Sequence, residues 1–302
     1  METNIYIGPA GWIYKDWEGR VYPSPQEKGF DPLAYMADYF NVVEINSSFY
    51  RPPSANSAAK WVDRISDRPD FLFTYKLWQG YTHNRDNFPD SQAEQAVKSS
   101  LDVLQQRGRL GALLIQFPWS FKNTPENLAW LERVIATFQE YLPVVEVRHG
   151  SWNTPAFFEF LLSKGATFAN IDQPIIGQSI GLTAIASRQM AYLRLHGRNI
   201  KNWFAPNRYD YYYQEEELAS IRQVVEQMIS ESQRSFIIFN NHFRGQGIAN
   251  ALQMMYLLSD SKVRVPAPLL DVFPQLRTIA LTDLRSVQEQ VELFDGSASS
   301  KT

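Results

Sequence analysis

The stretch VVEVR (144–148) decides how the rest of the chain is read. In an extended segment side chains alternate between two faces, so Val145 and Val147 share one and Glu146 and Arg148 the other. The pattern recurs along the chain. AYLRLH (191–196) sets Leu193 and Leu195 against Tyr192, Arg194 and His196, and VVEIN (42–46) sets Val43 and Ile45 against Glu44 and Asn46. Thr74 with Lys76, Leu114 with Gln116, Asn170 with Asp172, and Asn240 with His242 continue it. If the apolar faces pack on helices, the polar set points to a common interior.

Working outward, short apolar runs alternate with helical patterns over most of the chain, which predicts a parallel sheet with crossover helices. The strands are expected at NIYIG (4–8), VVEIN (42–46), FLFTYK (71–76), ALLIQ (112–116), VVEVR (144–148), TFANID (167–172), AYLRLH (191–196) and SFIIFN (235–240). Eight parallel strands make an α/β fold of the (β/α)8 TIM-barrel kind, which needs about 250 residues. Asp31-Pro32, Thr124-Pro125 and Thr154-Pro155 each place a capping side chain before a proline at the first helical position. Ser54 and Ser91 open the second and third helices, Gly165 closes the fifth, and 214–232 reads as an amphipathic helix. Residues 173–189 have two glycines, a proline and no helical period, so a seven-helix variant with an irregular sixth crossover is expected. The barrel domain is placed at 1–260. In the extension at 261–302, VRVPAPLLDVFPQ (263–275) reads as a loop, LRTIALTDLRSVQEQVELF (276–294) as a helix and GSASSKT (296–302) as a disordered tail.

The 302 residues are 44% hydrophobic and 20% charged, ordinary for a globular protein, with a net charge of −3. Any anion recognition must therefore come from a local cluster, not from a basic global field. The absence of cysteine excludes disulfides, thiolate metal sites and a cysteine nucleophile. METNIYIG lacks a basic start and an apolar run, and no stretch approaches about 18 uninterrupted apolar residues. The expectation is a cytoplasmic protein with no membrane contact and no protein partner.

Chemistry-bearing residues collect after the strands. All four histidines, His83, His149, His196 and His242, follow strands three, five, seven and eight. Six of eight tryptophans, at 12, 17, 78, 119, 152 and 203, fall in post-strand loops, with Phe49, Tyr50 and RYDYYYQ (208–214) beside them. Such rims stack on sugars or bases, or pack as a lid.

The motifs GPAGWIY (8–14), VEINSSFYR (43–51), FTYKLWQGYTH (73–83), LLIQFP (113–118), EVRHGSW (146–152), YLRLHGR (192–198) and FNNHFRGQGIANA (239–251), in this order, resemble those of the YecE-like family, domain of unknown function 72. The resemblance spans about residues 4–258 and implies a barrel and the location of a site, not a reaction. Pro9 and Ala10 stand where that family more often has Thr and Ser, so a hydroxyl there is not required.

The expected site lies at the carboxyl ends of the strands. Glu44, Glu146, His196 and Asp172 are the candidate catalytic groups. Lys76, Arg148, His149, Arg194, Arg198, Asn240, Asn241, His242, Trp12, Tyr50 and Trp152 are candidates for substrate binding. The leading expectation is an enzyme, a hydrolase of phosphoesters or nucleic acid, acting on an anionic small molecule or nucleic-acid fragment. It would work metal-free, or with a divalent ion held among Glu44, Glu146, Asp172, His149, His196 and His242. A paired-carboxylate glycosidase using Glu44 and Glu146, and a non-catalytic binder of nucleotide, sugar or nucleic acid, are the alternatives. Ser47 and Ser48 stand in no recognisable Ser–His–acid order. On this reading Arg148→Ala or Arg194→Ala abolishes ligand binding while stability changes little.

Overall fold

The computed structural model describes residues 4–281. Eight parallel strands form one sheet: β1 (Asn4–Pro9), β2 (Val42–Ile45), β3 (Leu72–Lys76), β4 (Leu110–Gln116), β5 (Pro143–Glu146), β6 (Thr167–Asp172), β7 (Ala191–Leu195) and β8 (Arg234–Phe239). Each lies within two residues of its expected bounds. The order β1-β8-β7-β6-β5-β4-β3-β2 brings β1 back beside β2, and the protein is a (β/α)8 TIM barrel. The returning strands meet in a seam that side chains complete. Asn41 accepts a hydrogen bond from Ile7 N at 3.0 Å and donates to Ile5 O at 2.8 Å, and Gly11 N donates to Glu44 O at 2.8 Å. A β-carbon on Gly8 would stand 1.8 Å from the Val42 carbonyl oxygen, so only glycine fits this approach.

The crossovers carry α1 (Pro32–Ala37), α2 (Ala55–Arg64), α3 (Ser91–Gln106), α4 (Pro125–Thr137), α5 (Pro155–Ser163) and α6 (Glu215–Glu231), and α7 (Gln246–Ser259) follows β8. Asp31, Ser54, Thr124 and Thr154 cap as read from the sequence. The cap of α3 is Asp90 rather than Ser91, because its carboxylate accepts from Ala93 N at 2.9 Å. Gly165, one residue past the α5 C-cap, adopts φ +67°, and a capping box of Gln214 with Glu217 starts α6. No helix joins β6 to β7. The stretch read as a loop at 263–275 contains a short helix, α8 (Ala267–Val272), and Leu269 is fully buried. Its isolated apolar pair, bracketed by prolines, carries too little periodicity to announce a helix. Most of the helix expected at 276–294, and the tail, lie outside the described residues.

Two apolar layers result. The outer one packs strands against helices through residues such as Val43, Leu113, Val145, Leu193 and Ile237. The inner one plugs the barrel with Val42, Leu72, Leu114, Val144, Tyr192 and Phe236. The polar set stands above that plug.

Candidate functional site

Strand register fixes which side chains face inward, since hydrogen-bonded partners in a parallel sheet point to the same side. Glu44 pairs with Thr74, Gln116 with Glu146, and Arg194 with Ile238, which lies in the inner core. In β6 the phase is opposite. Ala169 and Ile171 align with inward Tyr192 and Arg194, whereas Asn170 and Asp172 align with outward Leu193 and Leu195. The expectation that Asn170 and Asp172 point into the barrel is therefore overturned. The reason is local: with no helix over β6, an irregular segment covers its outer face, and the backbone there needs partners. Asn170 donates to Ile185 O at 2.7 Å and accepts from Ile185 N at 2.8 Å and from the Thr183 hydroxyl at 2.7 Å. Asp172 accepts from Arg198 at 2.8 Å and from Tyr213 at 2.6 Å, and Arg198 also pairs with Glu217 at 3.0 Å. That group braces the β6–β7 side of the barrel, away from the mouth cavity.

An ionic layer lies on the inner plug. Arg194 donates to Glu44 Oε1 at 2.6 Å and Glu146 Oε2 at 2.5 Å, and all three side chains are at most 1% exposed. Tyr192 donates to Glu44 Oε2 at 3.0 Å. Arg148, 12% exposed, covers Glu146 Oε1 from above at 2.8 Å. Burial alone would push Glu146 up, but Arg194 and Arg148 hold it well below the usual carboxylate range. His196 is fully buried beside it, with Nε2 3.3 Å from Glu146 Oε1 and Nδ1 2.9 Å from the Asn240 amide. Burial lowers its pKa to about 3, which keeps the imidazole neutral.

Above this layer opens a cavity of about 780 Å³ at the carboxyl ends of the strands. Single 3-10 turns directly after β2 (Ser47–Phe49) and near the end of β3 (Gln79–Tyr81) turn Phe49 and Gln79 toward it. Of the expected residues, Trp12, Tyr50, Lys76, Arg148, Asn240 and His242 line it. His242 stacks on Tyr14 with ring centroids 4.2 Å apart, tilts against Tyr209 at 4.8 Å, and is lowered by burial to about 4. Lys76 differs from its neighbours Arg148 and Arg194: no carboxylate lies within salt-bridge distance, and its Nζ rests 4.1 Å from the Phe49 ring centroid. Burial and the neighbouring Arg194 push its pKa down to about 7.

The remaining candidates do not reach the cavity. Glu44, Glu146, Arg194 and His196 form its foundation, not its surface. Trp152 is fully buried, stacked on Phe121 and bonded to Phe121 O at 2.7 Å, and its position after β5 serves packing. His149 caps a turn through Ser151 N at 3.1 Å, and Asn241 ties Tyr211 O to Asn250 at 2.9 Å. Asn46, Gln79, His83, Gln116, Gln173, Trp203, Phe204, Arg208 and Tyr209, none of them among the selected site residues, line the cavity. Asn46 and Gln116 were signalled by the strand alternation, His83 and Trp203 by their place after a strand. Phe204, Gln79 and Gln173 had no such signal.

The donor set does not suit a divalent ion. Among the described residues no group of three or more His, Asp or Glu side chains is gathered where a metal could be held. Glu44 and Glu146 already share a guanidinium, and Asp172 and His149 lie elsewhere. Nor do Glu44 and Glu146 flank a groove as a glycosidase pair must, since both are sealed beneath Arg148 and Arg194. No helix of the described residues is long and apolar enough to cross a membrane.

Known proteins share this frame. A family model described as "Protein of unknown function DUF72" matches residues 6–272, so the likeness continues through α8 instead of stopping near 258. The UPF0759 protein YunF of Bacillus subtilis is 30% identical over 287 residues, covering 89% of this chain and all of YunF. The UPF0759 protein YecE of Escherichia coli K12 is 25% identical over 208 residues, or 66% of this chain and 65% of YecE. A crystal structure of a DUF72 family protein from Thermotoga maritima superposes with a TM-score of 0.75 at 32% identity, covering 84% of this chain and 99% of that one. The chain belongs to the DUF72 (UPF0759) family.

Proposed function

We propose that the chain is an enzyme acting on a small anionic molecule that carries a planar ring or a sugar, held in the mouth of the barrel. The observation that carries the reading is the charge balance. Glu44 and Glu146 offset Arg194 and Arg148, and Asp172 with Glu217 offsets Arg198, which leaves two cavity-lining cations without a salt bridge among the described residues: Lys76 on the inner wall and Arg208, exposed at the rim. An anion supplies the charge partner that the fold withholds. Trp12, Trp203, Phe204 and Tyr50 offer apolar faces to the remainder of the ligand. The volume suits a nucleotide or sugar phosphate, not a folded duplex, and the hydrolase reading extends to a phosphoester whose leaving oxygen faces Lys76.

The test is a thermal-shift panel of nucleoside monophosphates, sugar phosphates and short oligonucleotides, each beside its uncharged parent. Phosphorylated ligands should raise Tm and their parents should not. Lys76→Met should abolish the shift. Chromatography of the bound ligand then separates an enzyme from a mere binder by whether the ligand is consumed. Equal shifts from parents and phosphates would refute the anion reading.

A further inference from the structure

We infer that Lys76 is a nucleophile that adds to the carbonyl carbon of an anionic aldehyde or ketone in the barrel mouth, so that the substrate is held as an iminium. The inference rests on the anion-binding reading above and names its substrate class.

A residue needed only for positive charge would gain from a nearby acid, or would be arginine, which stays charged when buried. Lys76 has neither advantage. Its Nζ packs on Phe49 at the inner wall, and the charged groups that face it are Arg194, Arg148, Glu146 and Glu44, with His83 on the cavity side. Both carboxylates are committed to arginines at 2.5–2.8 Å, so neither holds a proton on the amine. The ammonium is thus the disfavoured form, and a pKa of about 7 leaves roughly half of the amines with a free lone pair at neutral pH.

The step balances without an added reactant. The Nζ lone pair forms the C–N bond while the carbonyl π pair moves to oxygen, which takes up a proton. That oxygen takes up a second proton and leaves the carbinolamine as water, one of its two protons having come from the nitrogen and one from solution, and the iminium forms. Hydrolysis reverses each bond change. His83 lines the same cavity and stands edge-on to Phe49 with centroids 4.8 Å apart. Burial and then Lys76 lower its pKa to about 4, so it is a neutral imidazole at pH 7, and its Nδ1 pairs with the Thr82 hydroxyl at 2.9 Å. Nε2 is left to carry protons to and from the departing water. An iminium withdraws electrons from the adjacent carbon, so the class of reaction served is α-proton transfer or carbon–carbon cleavage.

The experiment treats the full chain at pH 7 with pyridoxal 5′-phosphate, glyceraldehyde 3-phosphate and pyruvate in turn, each with cyanoborohydride, followed by peptide mapping. A saturable adduct on Lys76, formed at least tenfold faster than on exposed lysines and with a rate rising through pH 7, is the expected result. Adducts distributed over Lys15, Lys28 and Lys201 without preference for Lys76 would overturn the inference. The non-carbonyl analogues pyridoxine 5′-phosphate and glycerol 3-phosphate, tested on wild type and Lys76→Arg, separate the two levels. If they bind both proteins and no Lys76 adduct forms, the anion reading survives and the nucleophile falls. If they bind neither and no adduct forms, both fall.

Discussion

Replacing Arg194 with methionine removes the shared cation of the ionic layer while nearly keeping its volume. Glu146 retains Arg148 at 2.8 Å, but Glu44 retains only the Tyr192 hydroxyl at 3.0 Å, and neither carboxylate is exposed to water. Two opposite charges about 4 Å apart attract by about 4 kcal/mol at the effective dielectric that describes protein sites. Breaking a buried pair from one side typically costs about 3–5 kcal/mol, because the stranded charge has no solvent to fall back on. The expected loss for Arg194→Met is therefore about 4 kcal/mol, a fall in Tm on the order of 10 °C for a domain of this size. Adding Glu44→Gln should return at least half of it, since the stranded charge is then gone. Urea unfolding followed by circular dichroism measures both variants. An unchanged midpoint for Arg194→Met, or no recovery in the double variant, would refute the view of the layer as a mutually dependent triad. The sequence-based expectation that this arginine could be removed at little cost in stability is corrected by its burial.

Lys76→Met should stabilise the protein by about 1–3 kcal/mol at pH 7 while removing ligand binding, the trade-off expected where a site strains its surroundings. The sign follows from a folded pKa of about 7, below the unfolded value: the wild type loses stability as pH falls from about 10 toward 7, so the gain from Met should be small at pH 10 and full at pH 6. Melting curves at both pH values check it. Asn41→Ala leaves Ile7 N and Ile5 O without partners at the β1–β2 seam, an expected cost of about 2–4 kcal/mol by chemical denaturation. Phe204→Ser alters a side chain 86% exposed at the rim, so Tm should hold within about 1 °C while affinity for a ring-bearing ligand falls. Affinity for any anion held by Lys76 should decline as pH rises through 7, measurable by titration calorimetry.

Strand placement was fully legible because period two and helix caps are local signals that tertiary packing here reinforces. The polar face of VVEVR and AYLRLH led directly to Glu146, Arg148, Arg194 and His196. Alternation identifies which residues share a face but not which face turns inward, and β6 shows the difference: its polar pair serves an outer crossover that has no helix. Nor does alternation give depth. Arg148 and Arg194 lie two strands apart in the sheet at neighbouring levels, yet one meets the cavity and the other is sealed under it. Trp152 and Trp12 follow strands alike, but Trp152 is stacked on Phe121, which comes from the loop after β4, 31 residues away. Proximity of that kind is a property of the folded chain, not of spacing.

The ionic layer also bears on how long the native state persists. Its contacts join residues 148 and 150 positions apart, Tyr192 and Arg194 with Glu44, and so can form only after the first and last parts of the chain have met. Contacts of such high sequence separation slow folding, because loop closure precedes their reward. Contacts that form after the transition state act on the reverse step, so Arg194→Met is expected to speed unfolding more than it slows folding, which stopped-flow kinetics in urea would measure.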